Sequence, residues 1–320
     1  MSEVIELNRR LVITGVTGEK SGAAFVRQLH AHRTDIRAAF PGGIRALVRP
    51  SSCTDYLKQM LPDVEIFVGE FVRSELLDQA LAGADTVVHI AGIQTSLPIV
   101  EAAARCHVRR AILVHTTGIY SKYKQAGEGY REIDADVARI CRDHNISLTI
   151  LRPTMIYGTL SDRNVSQFIR MVDRLPLMPV IRGARYWLQP VWFEDLGRAY
   201  YLALTRESAT AGKNYDLSGG APILLRDMLS EIGTQLGKKR VRFINCPFAL
   251  AYTGAFLLRA LSLGRIDLRE KVQRLCEDRA YPHEAASADF GYDPVSFQEG
   301  VRGEIHAYLQ SRRKKNGTQI

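Results

Sequence analysis

Three glycines mark the first place where this chain could do chemistry. Gly15, Gly18 and Gly22 lie in the stretch TGVTGEKSG, between the apolar run LVIT (11–14) and the helix-like AAFVRQLHAH (23–32). A glycine-rich turn from strand to helix offers backbone N–H groups and the positive end of the helix dipole to an anion. That anion is either a nucleoside triphosphate or the pyrophosphate of a dinucleotide. The triphosphate loop requires G-x-x-x-x-G-K-[ST], with glycine directly before lysine. Here Glu19 separates Gly18 from Lys20, and its carboxylate would repel triphosphate oxygens. The dinucleotide is the reading that the residues allow. At the end of the next apolar run, IRALV (44–48), stands Arg49 with no acid nearby. NAD-selective sites carry a carboxylate there for the ribose hydroxyls, whereas an arginine can bind a 2′-phosphate. NADP(H) is therefore expected over NAD(H).

A loop of this kind needs a parallel sheet behind it. The runs at 11–14, 44–48, 64–68, 86–90, 111–115 and 148–152 are rich in Val, Ile and Leu and do not alternate with polar residues. A strand covered on both faces reads in this way. Periodic helical segments lie between them, including SELLDQALAG (74–83), PIVEAAARCHV (98–108) and YREIDADVARICRDH (130–144). Strand and helix in repeated alternation predict a doubly wound α/β sheet. After residue 155 the rhythm loosens. QPVWFEDLGRAYYLAL (189–204) reads as a strand end running into a helix, with Asp195 expected to cap it. NYDLSGG (214–220) is a strand and turn, LLRDMLSEIGTQLGKK (224–239) a helix, and VRFINCP (241–247) a strand. These predict a smaller α/β lobe.

Composition closes off other classes. The chain has 320 residues, 46% of them hydrophobic and 24% charged, which suits a folded globular protein. Five scattered cysteines without a C-x-x-C pair argue against a disulfide framework or a metal site and fit a reducing cytoplasm. The first ten residues lack the apolar core of a signal peptide. The net charge of +9 is spread along the chain, only Arg312–Lys315 forming a run, and no nucleic-acid-binding pattern appears. Anionic small molecules account equally well for the basicity. The apolar stretch 247–263 is too short, and interrupted by Arg259, to span a bilayer. It is expected to be a helix buried against the protein, the alternative being a helix lying in a membrane interface.

Taken together, VITGVTG (12–18), VRSELLDQALAGADTVVHIAG (72–92), LRPTMIYG (151–158), QPVWFEDLGRA (189–199) and FGYDPVSFQEGV (290–301) resemble motifs of the extended and atypical short-chain dehydrogenase/reductases, specifically the NAD(P)-dependent epimerase/dehydratase group. The resemblance covers nearly the whole chain. It implies a Rossmann-type dinucleotide-binding domain over 1–155 and a mixed substrate lobe over 156–310, interleaved with the first domain around 186–218. A basic tail follows at 311–320. It implies cofactor contacts from Gly15 and the loop Thr17, Gly18, Glu19, Lys20, Ser21 and Gly22. Further contacts would come from Arg49, from Glu70 and Phe71 beside the adenine, from Ala91 and Gly92, and from Pro153, Thr154 and Ile156 along the nicotinamide. The substrate implied is a carbonyl or secondary alcohol, at family level a nucleotide sugar, and the assembly a monomer or homodimer.

Three departures stand out. The last glycine gap carries one additional residue, so that either Lys20 or Ser21 reaches a phosphate or Glu19 weakens binding; the contact is expected. The family's catalytic Ser/Thr has a counterpart in Thr116 and Thr117. Tyr130 begins the right helix, but Asp134 stands where the paired lysine belongs, and an acid raises a tyrosine pKa. A Y-x-x-x-K spacing does occur at Tyr120 to Lys124, but only a few residues beyond the threonines and before the helix begins; it reads as a basic loop over the site, with Tyr120 or Tyr123 as the alternative proton donor. Finally, the arginine that many nucleotide-sugar enzymes carry before the PV strand is replaced by Tyr186 and Trp187, with Arg182 and Arg185 close by. Atypical members that lack the Tyr–Lys pair bind NADP(H) as sensors, and this is the alternative to an enzyme. His89 and His115, at the ends of buried strands, are expected to be hydrogen-bonded core histidines.

Overall fold

The computed structural model describes residues 9–71, 73–123 and 127–317. Lys124 and the tail residues 318–320 lie outside the described residues. The first half supplies strands β1 (Arg10–Thr14), β2 (Ile44–Val48), β3 (Glu65–Val68), β4 (Ala84–His89), β5 (Arg110–Val114) and β6 (Ser147–Pro153). Helices α1 (Ser21–Ala31), α2 (Arg33–Ala39), α3 (Asp55–Met60), α4 (Ser74–Leu81), α5 (Ser96–Arg105) and α6 (Gly127–Asp143) connect them. The second half contributes β7 (Ile156–Tyr157), α7 (Val165–Arg174), β8 (Met178–Ile181), β9 (Trp187–Leu188), β10 (Val191–Trp192), α8 (Phe193–Thr205), α9 (Glu207–Thr210) and β11 (Asn214–Leu217). It ends in β12 (Ile223–Leu224), α10 (Leu225–Gln235), β13 (Phe243–Cys246), α11 (Phe248–Leu261), α12 (Arg269–Arg274), α13 (Glu284–Phe290) and α14 (Phe297–Gly317).

Seven strands form one parallel sheet in the order β11-β6-β5-β4-β1-β2-β3. The order reverses between β1 and β4, and that switch point opens the crevice where ligands of such sheets bind. The pleat explains the continuous apolar runs. Leu11 and Ile13 enter a core with Phe25, Leu29, Leu196 and Phe290, while Val12 enters another with Leu77, Val100 and Val137. Each fully buried side chain of this size contributes about 1.5–3 kcal/mol relative to exposure.

The seventh strand, β11, comes from the NYDL segment read from sequence as part of the smaller lobe. It pairs with β6, Tyr215 opposite Leu151. Helix α8 packs on α1 so closely that a Cβ on Gly197 would overlap Ala24, and Arg27 reaches Glu194 in an ion pair. Asp195 does not cap α8. Its Oδ2 accepts from the Val295 N–H at 3.1 Å, and burial pushes the carboxyl up to about 6. The remaining lobe has its own core, centred on Ile169, Val172, Met228, Ile232 and Val301.

One expectation is overturned. The 247–263 segment is helical, but only Ala255 of α11 is buried. It packs on the short α12, and Arg182 lies over its Phe248, but Leu250, Phe256, Leu257, Leu258 and Leu261 are exposed.

Candidate active site

The glycine loop follows β1 and leads into α1. Gly15 has φ +72°, and a Cβ there would stand 2.5 Å from the Ala91 nitrogen. A Cβ on Gly22 would overlap the Gly15 carbonyl oxygen. These two glycines let the loop, the end of β4 and the start of α1 approach closely. Gly18 differs: the space beside it is open. It borders a cleft of about 630 Å³ at the switch point, within the range usual for small-molecule sites. The first turn of α1, whose backbone N–H groups have no intrahelical partner, opens on that cleft at Ser21 and Gly22. Room, free donors and the helix dipole together fit a dinucleotide pyrophosphate.

Of the residues expected at the cofactor, Gly15, Thr17, Gly18, Glu19, Lys20, Ser21, Gly22, Arg49, Phe71, Ala91 and Ile156 line this cleft. Leu47, Val48, Ser52, Ile90, Thr95 and Ser161 join them. The hydroxyl of Thr17 donates to Ser52 Oγ at 3.2 Å. Glu19 Oε2 accepts from Ser161 Oγ at 3.1 Å, which ties the loop to the segment after β7. The other four expected residues lie elsewhere. Glu70 is exposed next to Phe71. Gly92 turns the chain with φ +113°, its carbonyl oxygen accepting from Thr95. Pro153 is buried in β6, and Thr154 lines a second cavity. Below the cleft, His89 sits fully buried. Its Nδ1 lies 2.7 Å from Thr14 Oγ1 and its Nε2 3.0 Å from Thr95 Oγ1. Burial pulls its pKa down to about 3, so the ring is neutral.

The second cavity, about 180 Å³, is lined by Thr116, Thr117, Gly118, Thr154, Met155, Asn164, Leu188, Gln189, Arg274 and Arg279. Thr116 Oγ1 accepts from the Gly118 N–H at 3.0 Å, and Thr117 Oγ1 donates to the Pro153 carbonyl at 3.2 Å. The two arginines come from α12 and the strap that follows it. Both Nε atoms are buried without a hydrogen-bond partner among the described residues. Burial, with the charge of Arg274 beside it, brings the Arg279 guanidinium down to about 10. Two cations held together with buried, unused donors form a site for an anion. Sequence reading singled out Arg182 and Arg185 instead, and neither lines this cavity. Nothing local in the sequence marks Arg274 or Arg279, since the threonines they join lie more than 150 positions earlier. The strap is latched: Glu277 accepts from Ser121 Oγ at 2.7 Å and from the Lys122 N–H at 2.9 Å.

None of the candidate tyrosines lines this cavity. Tyr120 follows Gly118 by two residues, stands against Tyr281 with ring centroids 5.2 Å apart, and donates to Asp216 Oδ1 at 3.2 Å. Burial and the Asp216 charge push its hydroxyl up to about 12. Tyr130 is buried with Ile93 and Ile119, and its hydroxyl accepts from Gln94 Nε2 at 2.8 Å. The lysine position is structurally committed. Asp134 is engaged by His115 Nδ1 through one oxygen and by Arg152 Nη2, at 2.5 Å, through the other. Burial works to raise its pKa, but these two partners outweigh it and hold the carboxylate below its usual range. His115 Nε2 completes the network with Ser96 Oγ at 2.9 Å.

Comparisons with known proteins bear on the fold and on the domain that carries the glycine loop. Residues 17–173 match the family model described as NAD(P)H-binding. The 2-alkyl-3-oxoalkanoate reductase of Stenotrophomonas maltophilia (strain K279a) is 30% identical over 171 residues, 50% of this chain and 51% of that protein; the match thus spans about half the relative's length. Among solved structures, the dTDP-glucose 4,6-dehydratase of Streptomyces venezuelae, with NAD bound, superposes with a TM-score of 0.70 at 20% identity, covering 95% of this chain and 98% of that one. The NADPH-dependent quinone oxidoreductase of Escherichia coli superposes with a TM-score of 0.69 at 16% identity, covering 93% and 99%. With the loop, the switch-point cleft and the seven-stranded order already in place, the chain has the Rossmann-type α/β fold of these dehydrogenase- and epimerase-type structures, and its residues 17–173 match a model of NAD(P)H-binding domains.

Proposed function

We propose that this protein is an NADP(H)-dependent reductase of a ketone that carries an anionic group. The observation that carries the reading is the pairing of Thr116 and Thr117 with Arg274 and Arg279 in one cavity near the cofactor cleft. The anionic group is a carboxylate, as in the 3-oxo acids named for the relative from Stenotrophomonas, or the diphosphate of a nucleotide sugar. Arg49, exposed at the cleft beside Ser52, supports the 2′-phosphate and therefore NADP(H) over NAD(H).

When bound, the nicotinamide supplies or takes a hydride. The chain does the rest. Ser21, Gly22 and Lys20 at the head of α1 hold the pyrophosphate, and the Arg274–Arg279 pair anchors the substrate's charged arm. Thr116 and Thr117 orient the carbonyl oxygen. Tyr120 donates the proton: burial and Asp216 make its hydroxyl a weaker acid than a free tyrosine, but it remains far more acidic than the alcohol it forms.

The test is NADPH consumption with a panel of 3-oxo acids and keto-sugar nucleotides, together with NADPH and NADH affinities. Arg279→Ala should raise KM for the anionic ketone at least about tenfold, and Tyr120→Phe should lower kcat. Arg49→Ala should weaken NADPH by about tenfold and leave NADH unchanged. Tighter binding of NADH than NADPH in the parent protein would sink the NADP(H) assignment.

A second reading is favoured by one observation, Asp134 bound to His115 and Arg152 where a lysine would activate a tyrosine. On that reading the chain binds NADP(H) as a sensor. Saturable NADPH binding with no turnover of any panel member would select it.

A further inference from the structure

We infer that α11 and the loop after it form a docking surface for an anionic lipid bilayer. The helix exposes Leu250, Phe256, Leu257 and Leu258, and its end carries Leu261 and Leu263 at 83% and 87% exposure, with Ile266 beyond them. A helix that is apolar on nearly every face is normally enclosed by protein or by lipid. Among the described residues α12 packs against it and Arg182 lies over the Phe248 ring at its start, while the leucines toward its end stay exposed, a patch of the kind that marks an interaction site. The fourteen residues span roughly 21 Å, too short to cross a bilayer. No described helix is long and apolar enough to do so. Lying in the interface is the geometry that remains.

Charge selects the occupant. Between Lys238 and Arg274 there are nine basic residues against Asp267 and Glu270, a balance of +7 in a chain whose whole net charge is +9. Asp267 is already held by Arg259 at 3.3 Å and Arg269 at 2.7 Å. Lys239, Arg240, Arg242 and Arg265 are exposed, the first three leading through β13 into the helix. Ile244 on β13 is exposed as well. A second copy docked on this face would set the same positive charge against itself, which opposes a symmetric dimer. An anionic membrane supplies both needs: acyl chains for the protruding leucines and headgroup phosphates for the basic residues. The surface involves no residue of the proposed catalytic machinery apart from Arg274 at its far boundary, so it stands apart from the reductase reading.

The experiment is flotation of the full-length protein with vesicles of phosphatidylcholine alone or mixed with phosphatidylglycerol, alongside light scattering without lipid. Binding to the mixed vesicles should exceed binding to phosphatidylcholine by about tenfold and weaken with salt. Leu261→Glu combined with Leu263→Glu should cut it at least about tenfold. The second variant, Lys239→Gln with Arg240→Gln and Arg242→Gln, should remove the preference for phosphatidylglycerol. NADPH binding by both variants serves as the check of folding. Three results overturn the proposal: no flotation of the parent with anionic vesicles, equal flotation of the leucine variant, or a lipid-free dimer that the leucine variant splits, which would assign the face to a second copy.

Discussion

The cofactor cleft and the cavity beside it are built in opposite ways. The pyrophosphate end of the cleft is made of main chain: Gly15 and Gly22 permit close approach, Gly18 leaves room, and the head of α1 supplies donors within a single stretch of nine residues. The neighbouring cavity is made of side chains that meet from distant parts of the chain, Thr116 and Thr117 after β5, Gln189 before β10, and Arg274 and Arg279 near α12. Backbone recognition tolerates changes of side chain, as long as the glycines stay. Side-chain recognition can be rewritten residue by residue. The contrast sets a loop that keeps its glycines, with one residue more in the last gap, against a helix that carries Asp134 where a lysine is expected.

The comparison is broken most severely at the altered helix. Asp134→Ala strands the buried Arg152 charge and removes a partner of His115. Removing one member of such a buried pair costs about 3–5 kcal/mol. Chemical denaturation should show this loss, while NADPH affinity of the folded variant stays within about twofold, since Asp134 does not line the cleft. Gly22→Ala should do the reverse. Its Cβ collides with the Gly15 carbonyl, so the loop must open. The expected cost is about 1–3 kcal/mol of stability, with NADPH affinity falling by roughly tenfold or more in a fluorescence titration. An unchanged affinity would show that the glycines serve packing alone.

A third effect lies away from both regions and reads the lobe that carries the arginines. Glu304 is buried, accepts from the Gly158 N–H at 3.0 Å, and lies near Asp162. Burial and the Asp162 charge push its pKa up to about 9, above the ordinary value of 4.5. The folded state therefore binds this proton more tightly than the unfolded one. Its contribution to stability is complete below about pH 4.5 and is lost as pH rises through 9. Glu304→Gln should flatten that slope in melting temperatures taken from pH 6 to 10, and be nearly neutral at the acidic end. A slope that persists unchanged in the variant would place the titration elsewhere.

How much of this was legible in the sequence follows the same division. Strands β1 to β6 were legible because a strand buried on both faces must be continuously apolar. The glycine loop was legible because its requirements are local. Strand β11 was harder: Asn214–Leu217 is short and half polar, and only pairing with β6 shows that it closes the sheet. The outward turn of α11 was read the wrong way, since an apolar run states that something must cover it without stating what. Asp134 was visible as a departure, but its partners His115 and Arg152 lie on two other elements. Arg274 and Arg279 carried no signal at all.

By itself, then, the sequence determined the class of fold, the repeating strand–helix unit and the position of the glycine loop. These rest on periodicity and on backbone freedom at particular glycines, which are properties of neighbouring residues. The tertiary structure alone decided which charges share a cavity, what Asp134 pairs with and which apolar face is left uncovered. Those depend on contacts between residues far apart in the chain, and the energy that selects them exists only once the chain has closed on itself.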